Sequence, residues 1–325
     1  MDCALMETVA KYQPFIALLI INITIGIFAI PMLLYIMLRI SKNQLYHLNT
    51  RILLVVHGAL LVLNLFNRII FHGSDLYRWM VIMPQSSACD IISTAERCII
   101  MRLGVNIGLW FCICSTPTIV LERYLALRNI DNYQSDKKSW VLLLLFQTTM
   151  GSALLAMVYG QVSLEGFKYY CLAAKAEFPL MVMLACTSNT IVLLLSNITY
   201  RHLRKKNEKL NQIMQQEGCR LTTRYQIEES LRCFEILSLP FHTMFYFQFT
   251  YSTSGLILFI VNHQLSRPLF LFLSEAITFI PEYSIVFIIL FLYNEKKFKI
   301  QAKESLNNKI LVHPEAYFAM VHQNW

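Results

Sequence analysis

Long stretches without a charged residue are the feature that most limits what this chain can fold into. Six such stretches occur along the sequence, and a seventh apolar stretch near the C-terminus is interrupted only by Glu275 and Glu282. A bilayer core about 30 Å thick requires about 20 apolar residues in a helix that rises about 1.5 Å per residue. Such segments must be helical because lipid cannot hydrogen-bond backbone amides. The sequence therefore predicts seven membrane-spanning helices, at about 15–38, 52–71, 98–121, 140–160, 178–200, 231–256 and 268–292.

Composition supports one membrane domain. Apolar residues make up 56 % of the chain and charged residues 15 %, against about 45–50 % and about 25 % in typical soluble domains. These values exclude a disordered chain, a disulfide-dense secreted module and an ordinary soluble enzyme. We predict an all-α seven-transmembrane bundle at 15–293, an N-terminal segment at 1–14 and a tail at 294–325. The tail begins with basic and apolar residues, which is typical of a short amphipathic helix on a membrane surface; a disordered tail is the alternative.

Lysine and arginine are distributed unevenly between the two sides of this predicted bundle. The odd-numbered loops and the tail, at 39–51, 123–138, 201–224 and 296–309, contain 19 of them, whereas the N-terminal segment and the even-numbered loops contain six. Positively charged loops remain in the cytoplasm. The C-terminus is therefore predicted to be cytoplasmic and the N-terminus extracellular. The net charge of +8 follows from this asymmetry, and no basic surface for nucleic acid is predicted.

Four of the nine cysteines, Cys3, Cys89, Cys98 and Cys171, fall on the predicted extracellular side, where disulfides form. Four thiols allow three pairings. A Cys98–Cys171 bond would fix the loop between spans four and five over the mouth of the bundle and leave Cys3 and Cys89 as a second pair. Alternatively, Cys98 is buried in its helix and Cys89 is the partner of Cys171. Neither the cysteines nor the histidines have zinc-site spacing, so neither a metal nor a cofactor is expected.

Charged residues within the predicted spans need a reason, because each costs about 2.5–3.5 kcal/mol at the bilayer centre. One interpretation is that Arg68 and Arg102 extend to the headgroups and that Glu275 pairs with one of them. The other is that they line a ligand cavity that opens to the outside, or equally a path for a solute. Polar side chains at helical spacing on spans three, six and seven favour a shared polar interior. The candidate ligand-binding residues are Arg102, Asn106, His242, Tyr246, Glu275 and Thr278.

The third predicted span ends in Glu122-Arg123-Tyr124. An acid beside an arginine can form a local pair whose rupture exposes the arginine, so the pair would act as a charge switch. The triplet resembles the Glu/Asp-Arg-Tyr motif of G-protein-coupled receptors at the same place. The interval from Cys98 to Arg123 is similar to the interval between the disulfide cysteine and the motif arginine in the rhodopsin-like branch.

A second motif narrows the resemblance. Arg224-Tyr225-Gln226, which leads into span six, is similar to a signature of nematode serpentine chemoreceptors of the Sra superfamily. Segments 46–51 and 84–90 agree, and the resemblance covers nearly all 325 residues. The chain is placed in class alpha/beta or class alpha. The resemblance departs from the rhodopsin-like pattern in span seven, where Pro281-Glu282-Tyr283 has no asparagine before the proline.

This resemblance implies a seven-transmembrane G-protein-coupled chemosensory receptor in the plasma membrane of sensory-neuron cilia. It implies an odorant or pheromone-like small molecule as ligand and a heterotrimeric G protein as partner. It also implies that the switch and G-protein-coupling residues are Glu122, Arg123, Tyr124, Arg224 and Tyr225.

The residues support two other classes of function less well. A small-solute transporter or ligand-gated channel subunit would use the same polar interior as a path, but no inverted repeat is visible in the sequence. A membrane enzyme is not expected, because no residues have catalytic spacing and no glycine-rich phosphate loop occurs among only 10 glycines.

Overall fold

The computed structural model of the chain describes residues 3–43, 46–129, 138–160, 167–168, 170–171, 180–216 and 221–312, and these are almost entirely helical. Ten α-helices follow one another along the described chain. They are α1 Cys3–Ala10, α2 Gln13–Lys42, α3 Leu48–Tyr77, α4 Ala95–Ile113, α5 Ser115–Arg128, α6 Ser139–Tyr159, α7 Leu180–Gln216, α8 Leu221–Val261, α9 Arg267–Ala276 and α10 Ile280–Val312. A π-turn at Arg78–Ile82 and a 3-10 turn at Met83–Gln85 extend α3.

Seven helical segments in these residues are long and apolar enough to cross a membrane, which confirms the predicted all-α seven-span fold. They are Gln13–Lys42, Leu48–Gln85, Ala95–Arg128, Ser139–Tyr159, Leu180–Ile213, Gln226–Gln264 and Arg267–Phe298. Most of them extend beyond the predicted spans, because polar residues at their ends continue the helix. Helices α4 and α5 together form span three, and α9 and α10 together form span seven.

Prolines explain both interrupted spans. A proline lacks the backbone N–H and its ring clashes with the carbonyl of the residue four positions earlier. The ring of Pro117 would clash with the carbonyl of Ile113, and α4 ends at Ile113. The ring of Pro281 would clash with the carbonyl of Ile277, which is the residue after the end of α9. Each span is thus divided into two rigid segments at a position that its proline determines.

Two disulfides and a short strand pair close one end of the bundle. Cys3 is bonded to Cys89 and Cys98 to Cys171. The antiparallel strands Ser93–Thr94 (β1) and Phe167–Lys168 (β2) pair beside them. This end is called the disulfide end below, and the opposite end, which contains Glu122-Arg123-Tyr124, is called the Glu-Arg-Tyr end. An apolar cluster built on α1 packs under the disulfide end, and a larger one fills the rest of the bundle.

The C-terminal part of span seven differs from the prediction. Helix α10 runs unbroken from Ile280 to Val312, so the stretch from Asn294 continues the span and does not form a separate short helix on a membrane surface. Apolar side chains of the span lead directly into a polar stretch of good helix-forming residues, and no proline or glycine interrupts it. The remaining predicted tail, 313–325, lies outside the described residues.

Candidate ligand cavity and switch motif

A buried carboxylate, Glu275 of α9, pairs with two arginines from different helices. Nη1 of Arg68 in α3 lies 3.1 Å from Oε2 of Glu275, and Nη2 of Arg102 in α4 contacts Oε1. The Glu275 side chain has no exposed surface and that of Arg68 is 2 % exposed. These arginines therefore do not extend to the membrane surface. They join three helices through one acid in the interior.

Tyr170 completes this group from outside the membrane-spanning segments. Its hydroxyl donates a hydrogen bond of 3.0 Å to Oε1 of Glu275. Burial, together with the Glu275 carboxylate, raises the pKa of Tyr170 well above its usual range, so the phenol keeps the proton that it donates. The Cys98–Cys171 disulfide fixes the residue next to Tyr170 on α4. The guanidinium of Arg102 lies 5.8 Å from the Tyr170 ring and 5.0 Å from the ring of Phe71, within the range of cation–π attraction.

A cavity of about 70 Å³ lies beside this charged group, between α3, α4, α6, α7, α8 and α9, and Arg68 is part of its wall. Among the predicted ligand-binding residues, Arg102, Asn106 and Thr278 line the cavity. Glu275 does not line it but forms an ion pair with Arg102. Asn106 donates a hydrogen bond of 2.6 Å to the hydroxyl of Tyr159. The apolar part of the wall comes mainly from Val105, Leu109, Trp110, Val158, Val182, Leu258, Phe259 and Ile277. The cavity thus combines a charged end with an apolar body, as small-molecule sites do.

At the Glu-Arg-Tyr end, Glu122 and Arg123 form a buried ion pair in which Nε and Nη2 of the arginine donate to the two carboxylate oxygens. Thr50 of α3 joins both partners. Its hydroxyl donates to Oε1 of Glu122 at 2.9 Å and accepts from Nη2 of Arg123 at 2.7 Å. The guanidinium also lies 5.9 Å from the ring of Phe234 in α8. The pair therefore connects spans two, three and six in one closed arrangement.

Comparison with known proteins decides the family. All of residues 1–325 match the model of the family described as serpentine type 7TM GPCR receptor class ab chemoreceptor. The chain belongs to this family. It is also 24 % identical over 309 residues to serpentine receptor class alpha/beta-14 of Caenorhabditis elegans, an alignment that covers 90 % of this chain and 76 % of that relative. The predicted resemblance to nematode serpentine chemoreceptors is confirmed, within class alpha/beta. The chain is a multi-pass membrane protein of a receptor family.

Two predicted ligand-binding residues of this class alpha/beta receptor do not reach the cavity. Tyr246 is 57 % exposed on the outside of the bundle. His242 packs edge-on against Tyr200 of α7, with 5.9 Å between ring centroids. The prediction of a shared site was wrong for both, because helical spacing identifies a face but not its direction. The face of α8 that lines the cavity is instead Tyr251, Gly255, Leu258 and Phe259.

The predicted switch residues of the receptor also differ in burial. Glu122 and Arg123 are buried together, whereas Tyr124 is 43 % exposed and takes no part in their hydrogen bonds. Consecutive helical residues point in directions about 100° apart, so a triplet cannot face one neighbour. Arg224 and Tyr225 lie in the helical backbone of α8, and their side chains lie outside the described part of the chain.

A second polar group in the middle of the receptor escaped the sequence analysis. Gln248 of α8 accepts a hydrogen bond of 2.6 Å from Thr116 and donates one of 3.2 Å to the carbonyl of Cys112. Nε2 of His57 lies 2.7 Å from the hydroxyl of Tyr283. Cys112, Gln248 and Tyr283 line a smaller cavity of about 30 Å³, which shares Leu109 and Tyr251 with the larger one. The sequence feature that could have indicated this polar group is the presence of uncharged polar residues inside the apolar runs.

Proposed function

We propose that this receptor binds an external small molecule in the 70 Å³ cavity and signals to a heterotrimeric G protein at the Glu-Arg-Tyr end. One observation carries the proposal. A single span, made of α4 and α5, contributes Arg102 to the charged wall of the cavity and Glu122 with Arg123 to the closed ion pair. The two helices are joined at Cys114, so a tilt of α4 at the cavity moves the end of α5 to which it is attached.

The orientation follows from charge and cysteine chemistry. The lysines and arginines of the odd-numbered loops favour a cytoplasmic Glu-Arg-Tyr end. Both disulfides then lie in the oxidising exterior, where such bonds persist. The proposed receptor thus lies in the plasma membrane with its cavity towards the outside. Its location in sensory-neuron cilia is proposed from the chemoreceptor class of its family.

Signalling requires that the ligand prefer one of two arrangements of the helices. The closed state has Arg123 held by Glu122 and Thr50. The active state has this pair opened, which frees a guanidinium for the G protein. The proline-determined breaks in spans three and seven allow the halves near the cavity to tilt while each half remains rigid.

Nucleotide exchange tests the proposal. The receptor is reconstituted in nanodiscs with a purified heterotrimeric G protein, and nucleotide exchange is recorded with and without candidate odorants. Arg123→Ala should abolish ligand-stimulated exchange, because the group that contacts the G protein is lost. Arg128→Ala is the matched control, since Arg128 is an exposed cation at the end of the same helix. Unchanged exchange in Arg123→Ala would overturn the proposed switch.

A further inference from the structure

We propose that the 70 Å³ cavity recognises a small organic acid, whose carboxylate pairs with Arg102 and whose apolar body lies against the apolar wall. The inference names the ligand class of the site and rests on the proposed function only for its signalling consequence. Binding itself is a property of the cavity and is tested separately.

Two guanidinium groups beside the cavity share one directly paired carboxylate in the described part of the chain. Arg68 and Arg102 share one acid, Glu275. His72 lies near it, with Nε2 3.8 Å from Oε2, and adds no negative charge. Asp75 acts electrostatically on Arg102, and Glu282 on Arg68, without an ion-pair contact. Glu282 lines neither of the two cavities. Within the described residues, Glu275 is thus the only carboxylate in direct contact with either arginine.

Within the part of the chain that the structure describes, both arginines have a hydrogen-bond donor that is not used. Nη1 of Arg102 and Nε of Arg68 are buried, and neither has a hydrogen-bond partner among the described residues. Buried donors are nearly always satisfied, so these two need a partner. Both arginines line the cavity. A ligand that brings acceptor oxygens and one negative charge would satisfy this part of the wall.

A carboxylate fits these donors better than other groups. The planar guanidinium binds a carboxylate through paired, charge-assisted hydrogen bonds. The rest of the wall is mostly aliphatic and aromatic, with Asn106, Ser274 and Thr278 as polar exceptions. Such a surface favours an organic body over a hydrated inorganic anion. The cavity is well below the several hundred Å³ of sites for drug-sized ligands, so the acid has few non-hydrogen atoms.

Thermal unfolding of the receptor in nanodiscs tests this inference with butanoate as the probe. Butan-1-ol and butylamine have the same apolar body without the negative charge, and sodium chloride supplies an anion without the body. Butanoate should raise the melting temperature in a saturable way, and the other three should not. An equal effect of sodium chloride would show a simple anion site, and an equal effect of butan-1-ol would show an apolar pocket. Either result, or no effect of butanoate, overturns the inference.

Two variants locate the binding. Arg102→Gln removes the charged guanidinium and leaves Arg68 paired with Glu275, so the affinity for butanoate should fall about tenfold to a hundredfold. Gly255→Val fills the cavity without altering any charge. A Cβ at Gly255 is 3.6 Å from Sγ of Cys186, an ordinary contact, so the added methyl groups occupy the cavity. Gly73→Val is the matched control, because a Cβ at Gly73 has no neighbour within 4 Å.

The Gly255 variant keeps the inference falsifiable if Arg102→Gln fails to fold. Butanoate binding that survives in Gly255→Val while Gly73→Val behaves as the parent receptor would exclude this cavity. Nucleotide exchange in the same nanodiscs separates the two claims. Butanoate binding without stimulated exchange would refute the proposed function and leave the acid site intact. Exchange stimulated by butan-1-ol and not by butanoate would refute the acid site and leave the receptor function intact.

Discussion

Nε of Arg39, in the last turn of α2, lies 2.6 Å from Oε2 of Glu295 in α10. The Glu295 side chain is 4 % exposed. Next to it, Nδ2 of Asn294 donates a hydrogen bond of 3.2 Å to the carbonyl of Ile236 in α8. Span seven is therefore attached to spans one and six at the Glu-Arg-Tyr end. Any outward movement of span six at this end must either break its contact with span seven or move span seven with it.

Replacing Arg39 should loosen this attachment. Arg39→Gln leaves Glu295 buried with a weaker partner. We expect a loss of about 1–2 kcal/mol in the free energy of unfolding, below the about 3–5 kcal/mol of fully buried pairs because Arg39 is partly exposed. Basal nucleotide exchange should rise. Thermal unfolding and the exchange assay measure the two effects. Lys42→Gln, an exposed cation in the same turn, is the control, and an equal loss of stability in both variants would contradict the prediction.

The buried acid beside the cavity should carry much more stability. Glu275→Gln leaves Arg68 and Arg102 without a countercharge in the interior. Breaking such a pair costs about 3–5 kcal/mol, so we expect a large drop in melting temperature or in the yield of folded receptor. Glu282→Gln is the matched change two turns further along span seven, where the residue is half-buried. Similar melting temperatures for the two variants would show that the pairing is not what stabilises the three helices.

Thr50 should restrain the switch. Its hydroxyl bridges Glu122 and Arg123, so Thr50→Ala removes one hydrogen bond from each. We expect basal nucleotide exchange to rise severalfold, in line with about 1–2 kcal/mol lost from the closed state. Thr118→Ala is the control, because Thr118 is equally buried but, among the described residues, its hydroxyl bonds only to the Cys114 carbonyl of the preceding turn, at 2.7 Å. The role of Thr50 is refuted if both variants give the parent's basal exchange.

Loss of either disulfide should have a similar effect on stability but a different effect on ligand affinity. The two disulfides close intervals of similar length, 86 residues for Cys3–Cys89 and 73 for Cys98–Cys171. Loop-closure entropy changes little between such lengths. Serine pairs at either site should therefore lower the melting temperature similarly, within the usual cost of about 2–5 kcal/mol. Only loss of Cys98–Cys171 releases Tyr170 from Glu275, so ligand affinity should fall in that variant alone. Equal affinities in the two double-serine variants would exclude this role for the tether.

His47 should make the receptor sensitive to moderate acidity. It caps the first turn of α3, where its Nδ1 accepts a hydrogen bond of 3.3 Å from the backbone N–H of Asn49. Burial lowers the pKa of His47, so the folded receptor binds this proton less readily than the unfolded chain. Stability is therefore complete above the ordinary histidine pKa of about 6.5 and decreases as the pH falls through it.

His47→Asn keeps a capping side chain and removes the titration. Melting temperatures measured between about pH 7.5 and about pH 5.5 should fall less steeply in this variant than in the parent receptor. His202→Asn is the control, because His202 is exposed on α7. Identical pH profiles for His47→Asn and the parent would contradict the assignment.

The number of spans could be predicted from the sequence because lipid imposes one strong requirement, an apolar helix long enough to cross it. The Glu122–Arg123 pair was equally accessible, since neighbouring residues are necessarily close in space. The partnership of Glu275 with both arginines was only partly visible. The depth of Arg68 and Arg102 indicated one pairing, but only the folded positions of α3, α4 and α9 bring both arginines to the same carboxylate.

The sequence could not predict the direction of the side chains on α8 or the contacts made by residues in loops. No feature of the sequence distinguishes Thr50 or Tyr170. The packing of span two brings Thr50 to Arg123, and the Cys98–Cys171 disulfide brings Tyr170 to Glu275. The rotation of α8 about its axis separates Tyr251, which faces the cavity, from Tyr246, which does not. That rotation depends on how α8 packs against α7 and α10, which no local pattern encodes.

The non-helical residues between Ala276 and Ile280 have a consequence for how such receptors diversify. Helix α9 carries Ser274 and Glu275 beside the cavity, whereas α10 carries Asn294 and Glu295 at the opposite end. Because the helix is interrupted between them, a mutation that re-tilts α9 need not rotate α10. Over evolutionary time, duplicated genes can alter the chemical preference encoded by the first half while they inherit the second half intact.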